Sequence, residues 1–358
     1  MEAARKTTPE PRDGGSGDNQ MRYWRLDKRP RVEIEDDCLS LQTTPIPVLA
    51  EGEVLMRVIY LSLDATNRLW MEEIENMYMP AVPLNTPMQG FVLAEVAESR
   101  NPAFKPGQIA MGLGHWASHV VTDGAGWMSL DRPEGVPLDL AFGVLAIAGP
   151  TAWFGMMEIG RPKPGDTVVV SAAAGAAGSC AAQIARLKGC RVIGIAGGAD
   201  KCAWLKDEAK LDAVIDYKAE NVAEALTRIA PDGIDILYEN VGGDIMDASL
   251  ANMKLGGTVV VCGLISTYNG AMGGDAGTGP KLFHNVILKR LRIQGFVVLD
   301  FMDRYGEAWA ELIPWLRSGE LKFRLDVADG LDKAVDALRS MYRSGNSGKL
   351  MVKIGEER

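Results

Sequence analysis

The spacing of apolar and polar positions changes once along the chain, near residue 150. Before it, residues 53–62 (EVLMRVIYLS), 88–98 (MQGFVLAEVAE) and 115–122 (HWASHVVT) read as short strands, with Lys105-Pro106-Gly107 as a turn. Closely spaced strands punctuated by Gly and Pro predict a small antiparallel, barrel-like β domain. After it, continuous apolar runs at 167–171 (TVVVS), 191–196 (RVIGIA), 213–217, 234–239 (IDILYE), 258–263 (TVVVCG) and 291–298 (LRIQGFVV) alternate with helical stretches at 179–188, 200–210, 219–230, 244–253 and 281–289. Strands apolar on both faces, separated by helices, predict βαβ units and a parallel sheet covered on both sides. The chain closes with helical stretches at 303–317 and 331–342 and a strand at 349–354. The expected fold class is α/β.

The ends and loops are polar. Residues 1–20 carry no period and no apolar segment of the kind a secretory signal needs. They are expected to be a disordered tail, with Met21 as an alternative start. Glu2, Glu10, Asp13 and Asp18 argue against a transit peptide. The Gly-rich stretch 269–280 (NGAMGGDAGTGP) reads either as a lid over a site or as a surface loop.

Composition narrows the function classes. A chain of 358 residues suggests two domains or three. Its 38 basic and 47 acidic residues give a net charge of −9 with no Lys/Arg run, so nucleic acid and anionic membrane are disfavoured partners. No apolar stretch is read as approaching the roughly 20 residues of a membrane-spanning helix. Cys38, Cys180, Cys190, Cys202 and Cys262 are odd in number and form no C-x-x-C pair, which reads as reduced thiols in a cytosolic protein.

The strongest local signal is Ser171-Ala172-Ala173-Ala174-Gly175-Ala176-Ala177-Gly178, between a strand and a helix of a βαβ unit. That context suits a dinucleotide fingerprint, although Ala173 stands where the first Gly of G-x-G-x-x-G belongs. Gly175 would let the backbone approach a pyrophosphate, and Gly178 would let the helix pack closely. The helix N-terminus would offer free N–H groups to the anion. The alternative is a small-residue turn that only packs the helix. The second strand ends Ile195-Ala196-Gly197-Gly198, without the carboxylate that binds an adenosine ribose in NAD enzymes, and Lys201 follows within a turn. An acid would repel a 2′-phosphate and a lysine attracts it, so NADP is expected over NAD. The alternative for Lys201 is an ordinary solvated lysine.

With these pieces in order the chain resembles the medium-chain dehydrogenase/reductase superfamily, and most closely its zinc-independent leukotriene/prostaglandin, curcumin and alkenal double-bond reductases. The resemblance rests on LSLD at 61–64, KPGDTVVVSAAAGAAGS at 163–179, LKGCRVIGIAGG at 187–198, IDYK at 215–218, DGIDILYENVGG at 232–243, CGLISTYN at 262–269 and GKLMVKI at 348–354. It implies a Rossmann-type NADP-binding domain over 150–299 and a GroES-like β domain over 21–149, completed by 300–358. It also implies a homodimer.

By the same resemblance Gly175, Ala176, Ala177 and Gly178 line the pyrophosphate, while Lys201 and Tyr217 hold the 2′-phosphate end. Asn240 sits beside the cofactor at the fourth strand tip. Cys262, Gly263, Leu264, Ile265, Ser266, Thr267 and Tyr268 run along the nicotinamide half. Phe296, Val297 and Val298 flank the nicotinamide, and Asn346 closes on the cofactor. Tyr217 also reads as a half-buried aromatic, Asn240–Gly243 as a turn, and Cys262 as a packed thiol rather than a reactive one.

The implied reaction is NADPH-dependent reduction of the carbon–carbon double bond of an enal or enone, with the Tyr268 hydroxyl as donor to the carbonyl oxygen or only as a pocket wall. Met77, Tyr78, Met79, Met88 and Met111 suggest an apolar substrate pocket or ordinary core. Two departures stand out. Ala65-Thr66-Asn67-Arg68 replaces the related Pro-Tyr-Met-Arg, and Lys210 replaces a glycine after the second Rossmann helix. Zinc is not expected: Leu63-Asp64 and Met88-Gln89-Gly90 occupy the places where the zinc branch carries a Cys and a His-Glu pair. His115, His119 and His284 are scattered. Quinone reduction and a non-catalytic NADP-binding role are the alternatives.

Overall fold

The computed structural model describes residues 19–75, 77–130, 132–269 and 280–357. The expected tail lies outside them except for its last two residues, and Gln20 already belongs to a strand. The Gly-rich stretch also lies outside them except for Asn269 and Pro280.

Two small outer strands, β1 (Gln20–Leu26) and β2 (Leu39–Pro45), pair antiparallel. Both are half exposed, and the sequence reading passed over them. The larger antiparallel sheet is built on β3 (Val54–Ser62), which is buried at eight of nine positions. A short β4 (Thr86–Pro87) joins β1. β3 pairs with β5 (Gln89–Ser99), β5 with β6 (Ile109–His115), and β7 (His119–Thr122) returns to β3. β8 (Met128–Ser129) closes that edge on β6.

The second sheet is parallel throughout. Its strands are β9 (Thr167–Val170), β10 (Arg191–Ala196), β11 (Ala213–Asp216), β12 (Ile234–Glu239), β13 (Met253–Val261) and β14 (Arg292–Gly295), in the spatial order β11-β10-β9-β12-β13-β14. The order reverses between β9 and β12, and such a switch point opens a crevice at the strand tips. Val168 and Val170 face one core and Val169 the other, which explains the continuous apolar run in β9. The chain then crosses back: β15 (Leu325–Asp329) pairs with β16 (Lys349–Lys353), and β16 adds to β3 beside Ser62, so the C-terminal strand completes the first sheet.

The helices are α1 (Thr66–Leu69), α2 (Leu138–Gly143), α3 (Gly149–Phe154), α4 (Ala176–Leu187), α5 (Ala199–Asp207), α6 (Val222–Ile229), α7 (Gly243–Ala251), α8 (Asn285–Leu288), α9 (Tyr305–Ser318) and α10 (Ala334–Tyr342). One π-turn joins α2 to α3 and a second extends α3, giving one helix, Leu138–Gly160, of 23 residues with mean hydropathy 1.6. This corrects the expectation that no apolar stretch is long enough to span a membrane and that short strands continue to residue 149. Its most apolar window is 78% buried within the protein, as a core helix is. Gly143, Gly149, Pro150 and Gly155 disguised it as turns. Gly155 instead makes room for Tyr238 of β12, whose ring carbon would lie 2.7 Å from an added Cβ, and the Tyr238 hydroxyl donates to Thr151 O at 3.0 Å.

The helix expected at 281–289 contracts to α8. Phe283, Ile287 and Leu288 are 55%, 79% and 61% exposed there, so no core supports a longer one. The sixth strand stops at Gly295 because Val298–Arg304 winds into a 3-10 helix.

Candidate functional site

A cleft of approximately 610 Å³ runs along the tips of the parallel sheet to the end of β3 and the start of β16. Its end at the tip of β9 is mostly backbone. After β9 the chain turns through Ala172, at φ 47°, and Gly175 caps α4 with no side chain satisfying the helix. The first-turn N–H groups are therefore available to an anion. Gly178 is obligatory, since a Cβ there would meet the Ala172 carbonyl oxygen at 2.3 Å. Gly175 also bridges to Gly348, which draws the C-terminal segment over the loop.

Glu239 braces this turn from the tip of β12. One carboxyl oxygen accepts from the Ser171 hydroxyl at 3.0 Å and from the N–H groups of Val241 and Gly242 at 2.5 and 2.7 Å. Asn240 returns its side-chain amide to Ser171 O at 2.7 Å. Burial raises the Glu239 pKa against these donors, and its second oxygen has no partner. The network fixes two strand tips to each other.

At the end of β10 the Tyr217 ring lies over Gly197, where a Cβ would come within 2.6 Å of it. Lys201 Nζ donates to Ser344 O at 3.1 Å, and the Tyr217 hydroxyl is 3.4 Å from Ser344 Oγ. Burial, helped by the Lys218 charge, lowers the Lys201 pKa. The Asp326 carboxylate acts on it in the opposite sense, and the acid at the end of β11, Asp216, is engaged by the N–H groups of Gly198 and Lys218 at 2.9 and 3.0 Å.

At the tip of β13, Cys262, Gly263, Ile265, Ser266 and Tyr268 line the cleft. Leu264 and Thr267 do not, contrary to expectation. The Leu264 side chain packs into the apolar cluster behind β13, and the Thr267 hydroxyl turns back to Leu264 O at 2.8 Å. In the tight 3-10 turn Ile265–Thr267 residues three apart eclipse, so Leu264 and Thr267 fall on the same side, away from the cleft. The Tyr268 hydroxyl accepts from Leu264 N–H at 3.2 Å, and burial raises its pKa. Burial raises the Cys262 thiol to about 11, which fits a packed thiol.

Phe296, Val297, Val298 and Asn346 line the cleft, as do Gly175, Ala176, Ala177, Gly178, Lys201, Tyr217 and Asn240. Met88 and Met111 are core residues, 0% and 1% exposed, and Met77 and Met79 pack beside the core; of that expected group Tyr78 alone reaches the cleft.

Sequence reasoning missed Trp70, Ser344 and Lys349 as lining residues. Lys349 is buried, its Nζ bonded to Leu63 O at 3.0 Å and to the Asp64 carboxylate at 2.6 Å. The quoted LSLD and GKLMVKI blocks held that signal, but no local spacing pairs them. Among the described residues no group of three or more His, Cys, Asp and Glu side chains could hold a metal ion.

A free helix N-terminus behind an obligatory glycine, a lysine and tyrosine at the next strand tip and an apolar far end suit a dinucleotide bearing an extra phosphate. Together with the two sheets they define a medium-chain dehydrogenase/reductase. Residues 22–130 match the model of the N-terminal domain of oxidoreductases, and residues 176–318 that of zinc-binding dehydrogenases. The chain is 35% identical over 346 residues to the NADPH-dependent curcumin reductase of Escherichia coli, covering 95% of this chain and 99% of that one. It is 37% identical over 331 residues to the NADP(+)-dependent 2-alkenal reductase of Nicotiana tabacum, covering 92% and 94%. The crystal structure of CurA from Vibrio vulnificus with NADPH superposes with TM-score 0.87 at 36% identity, over 94% of this chain and all (100%) of that one. The chain belongs to this family of curcumin, prostaglandin and alkenal reductases.

Proposed function

We propose that the protein reduces the carbon–carbon double bond of α,β-unsaturated aldehydes or ketones with NADPH. The observation that carries this reading is one cleft with two chemistries: a lysine and a tyrosine at the end beside the uncapped helix start, and a protonated tyrosine among apolar walls at the other.

NADPH supplies a hydride when bound, and the hydride forms the new C–H bond at the β-carbon. The first turn of α4 and its glycines receive the pyrophosphate, and Lys201 and Tyr217 the 2′-phosphate. Negative charge builds on the carbonyl oxygen as the double bond shifts. Tyr268 holds its proton at neutral pH because its raised pKa lies above an already basic phenol, so it can donate to that oxygen. The proton that completes the reaction goes to the α-carbon. Leu63-Asp64 and Met88-Gln89-Gly90 offer no thiolate or imidazole, which supports chemistry without zinc.

The same reading takes 150–299 as the NADP-binding domain, and 21–149 with 300–358 as the substrate domain. It also takes the protein as a cytoplasmic homodimer. Five unpaired cysteines suit a reducing compartment. Phe283, Ile287 and Leu288 are exposed in the segment leading into β14, an edge strand of the parallel sheet, and a second copy would cover them.

Steady-state assays with NADPH against enals, enones and quinones test the function. Turnover of enals or enones, faster than quinones and faster with NADPH than NADH, is expected. Turnover of quinones alone, or equal kcat/KM with both nucleotides, overturns the reading. Tyr268→Phe should lower kcat about 100-fold; unchanged kcat with tight NADPH binding removes the donor role.

A further inference from the structure

The wall of the cleft opposite the parallel sheet holds an ion pair that the reaction as drawn does not use. Lys349 is 3% exposed, and its ammonium group donates to Leu63 O at 3.0 Å and to the Asp64 carboxylate at 2.6 Å. The second Asp64 oxygen accepts from the Ser62 hydroxyl. Taking two charges out of water cancels much of what their attraction returns, so such a pair is weak evidence for stability. What it does fix is a distance.

The two ends of the Lys349 side chain show which distance. Its backbone opens β16, and the residue before it, Gly348, bridges to Gly175 at the start of α4. Lys349 N–H donates to Arg324 O at 2.8 Å, and a Cβ on Gly348 would meet that same oxygen at 2.2 Å, so the root of the side chain has little freedom. Its far end grips the cleft wall, where Leu63, Asp64, Ala65 and Thr66 all face the cavity. Asp64 N–H donates to Asn67 Oδ1 at 2.8 Å, which ties this stretch to α1. Two neutral bonds hold the same wall to the C-terminal segment: Leu63 N–H to Leu350 O at 3.1 Å and the Tyr342 hydroxyl to Ala65 O at 2.6 Å. The Lys349 contact is the ionic one, and it comes from the residue next to Gly348.

We propose that Lys349, paired with Asp64, is a positioning residue: it sets the spacing between the wall at 63–66 and the turn before α4, and so the gap in which the substrate's double bond meets the nicotinamide. The inference rests on the enone-reductase reading. The effect falls on the orientation of bound substrate, where a displacement of about 1 Å can cost about a hundredfold in rate. In the same reading the nucleotide is held by the first turn of α4, Lys201 and Tyr217, which the ion pair does not touch.

Lys349→Met keeps the stem and removes the charge, and Asp64→Asn is made with it so that no carboxylate is left unpaired. Exchanging a buried ion pair for uncharged groups of similar size is often neutral for stability. The double variant and the parent are assayed with NADPH and a simple enone, with NADPH binding by titration and thermal melting alongside. The expected result is a kcat about tenfold lower, with NADPH Kd and melting midpoint unchanged. Lys349→Arg keeps the charge pair and changes its reach. It too should lower kcat at an unchanged midpoint, whereas a role confined to stability would leave its kcat at the parent value. If the double variant melts early, Lys349→Arg decides. Parental kcat and KM in either variant that melts with the parent, the parent being active on enones, overturn this inference alone. A parent enzyme inert toward every enone overturns the functional reading and this inference with it.

Discussion

The two ends of the cleft are built by different means. At the nucleotide end the decisive groups are backbone: an uncapped helix start, a left-handed Ala172 and a glycine with no room for a methyl. Nearly all of it comes from one run of eight residues after β9. At the substrate end the decisive groups are side chains from remote segments, with Trp70 and Tyr78 on one loop, Tyr268 on another, and Tyr342 and Lys349 near the C-terminus. A backbone site recognises what every nucleotide of its kind shares, whereas a side-chain site can be retuned one residue at a time. The same contrast separates pieces that tolerate substitution from pieces that do not.

The largest effect should come from the backbone end. Gly178→Ala places a carbon 2.3 Å from the Ala172 carbonyl, so the turn or α4 must move. A loss of about 1–3 kcal/mol is expected in urea unfolding, with NADPH Kd rising about tenfold or more. A variant with parent stability and affinity would break the contrast. Lys201→Ala tests the one side-chain feature of that end. NADPH Kd should rise about tenfold, or roughly 1.4 kcal/mol, with NADH binding unchanged.

Its pH dependence has a definite sign. The Lys201 pKa lies below the ordinary 10.5, so its charge is lost at lower pH than on an exposed lysine. The preference for NADPH over NADH should therefore shrink as pH rises toward 10.5, and should be flat with pH in Lys201→Ala. The smallest effect is expected at Lys210, which sits after α5 at φ 58°, a conformation that favours glycine. Lys210→Gly should stabilise the protein by about 1 kcal/mol in urea unfolding without changing NADPH Kd.

Legibility followed the same division. β10 and β12 begin and end where the apolar runs predicted, since a strand buried on both faces declares itself in composition alone. β1 and β2 carry mixed sequences, QMRYWRL and LSLQTTP, whose pairing rather than pattern makes them strands. The helix Leu138–Gly160 was hidden by glycines that serve packing rather than turning. Within CGLISTYN the spacing named the right segment but could not tell inward from outward residues, because the 3-10 turn that directs Leu264 and Thr267 away depends on bonds to Leu264 O and to the Tyr268 hydroxyl.

From its order of residues alone the chain determined the parallel sheet, the small-residue turn before α4 and the lysine that follows the second strand. Each is a contiguous pattern whose physics is local: apolar continuity, small residues before a helix, charge at a strand tip. The far end was decided only by tertiary structure. Lys349 meets Asp64 across 285 positions, and Tyr78 and Tyr268, far apart in the chain, line one cleft. No short-range periodicity encodes those meetings, because they depend on how β16 docks on β3 and on how the two sheets enclose the space between them.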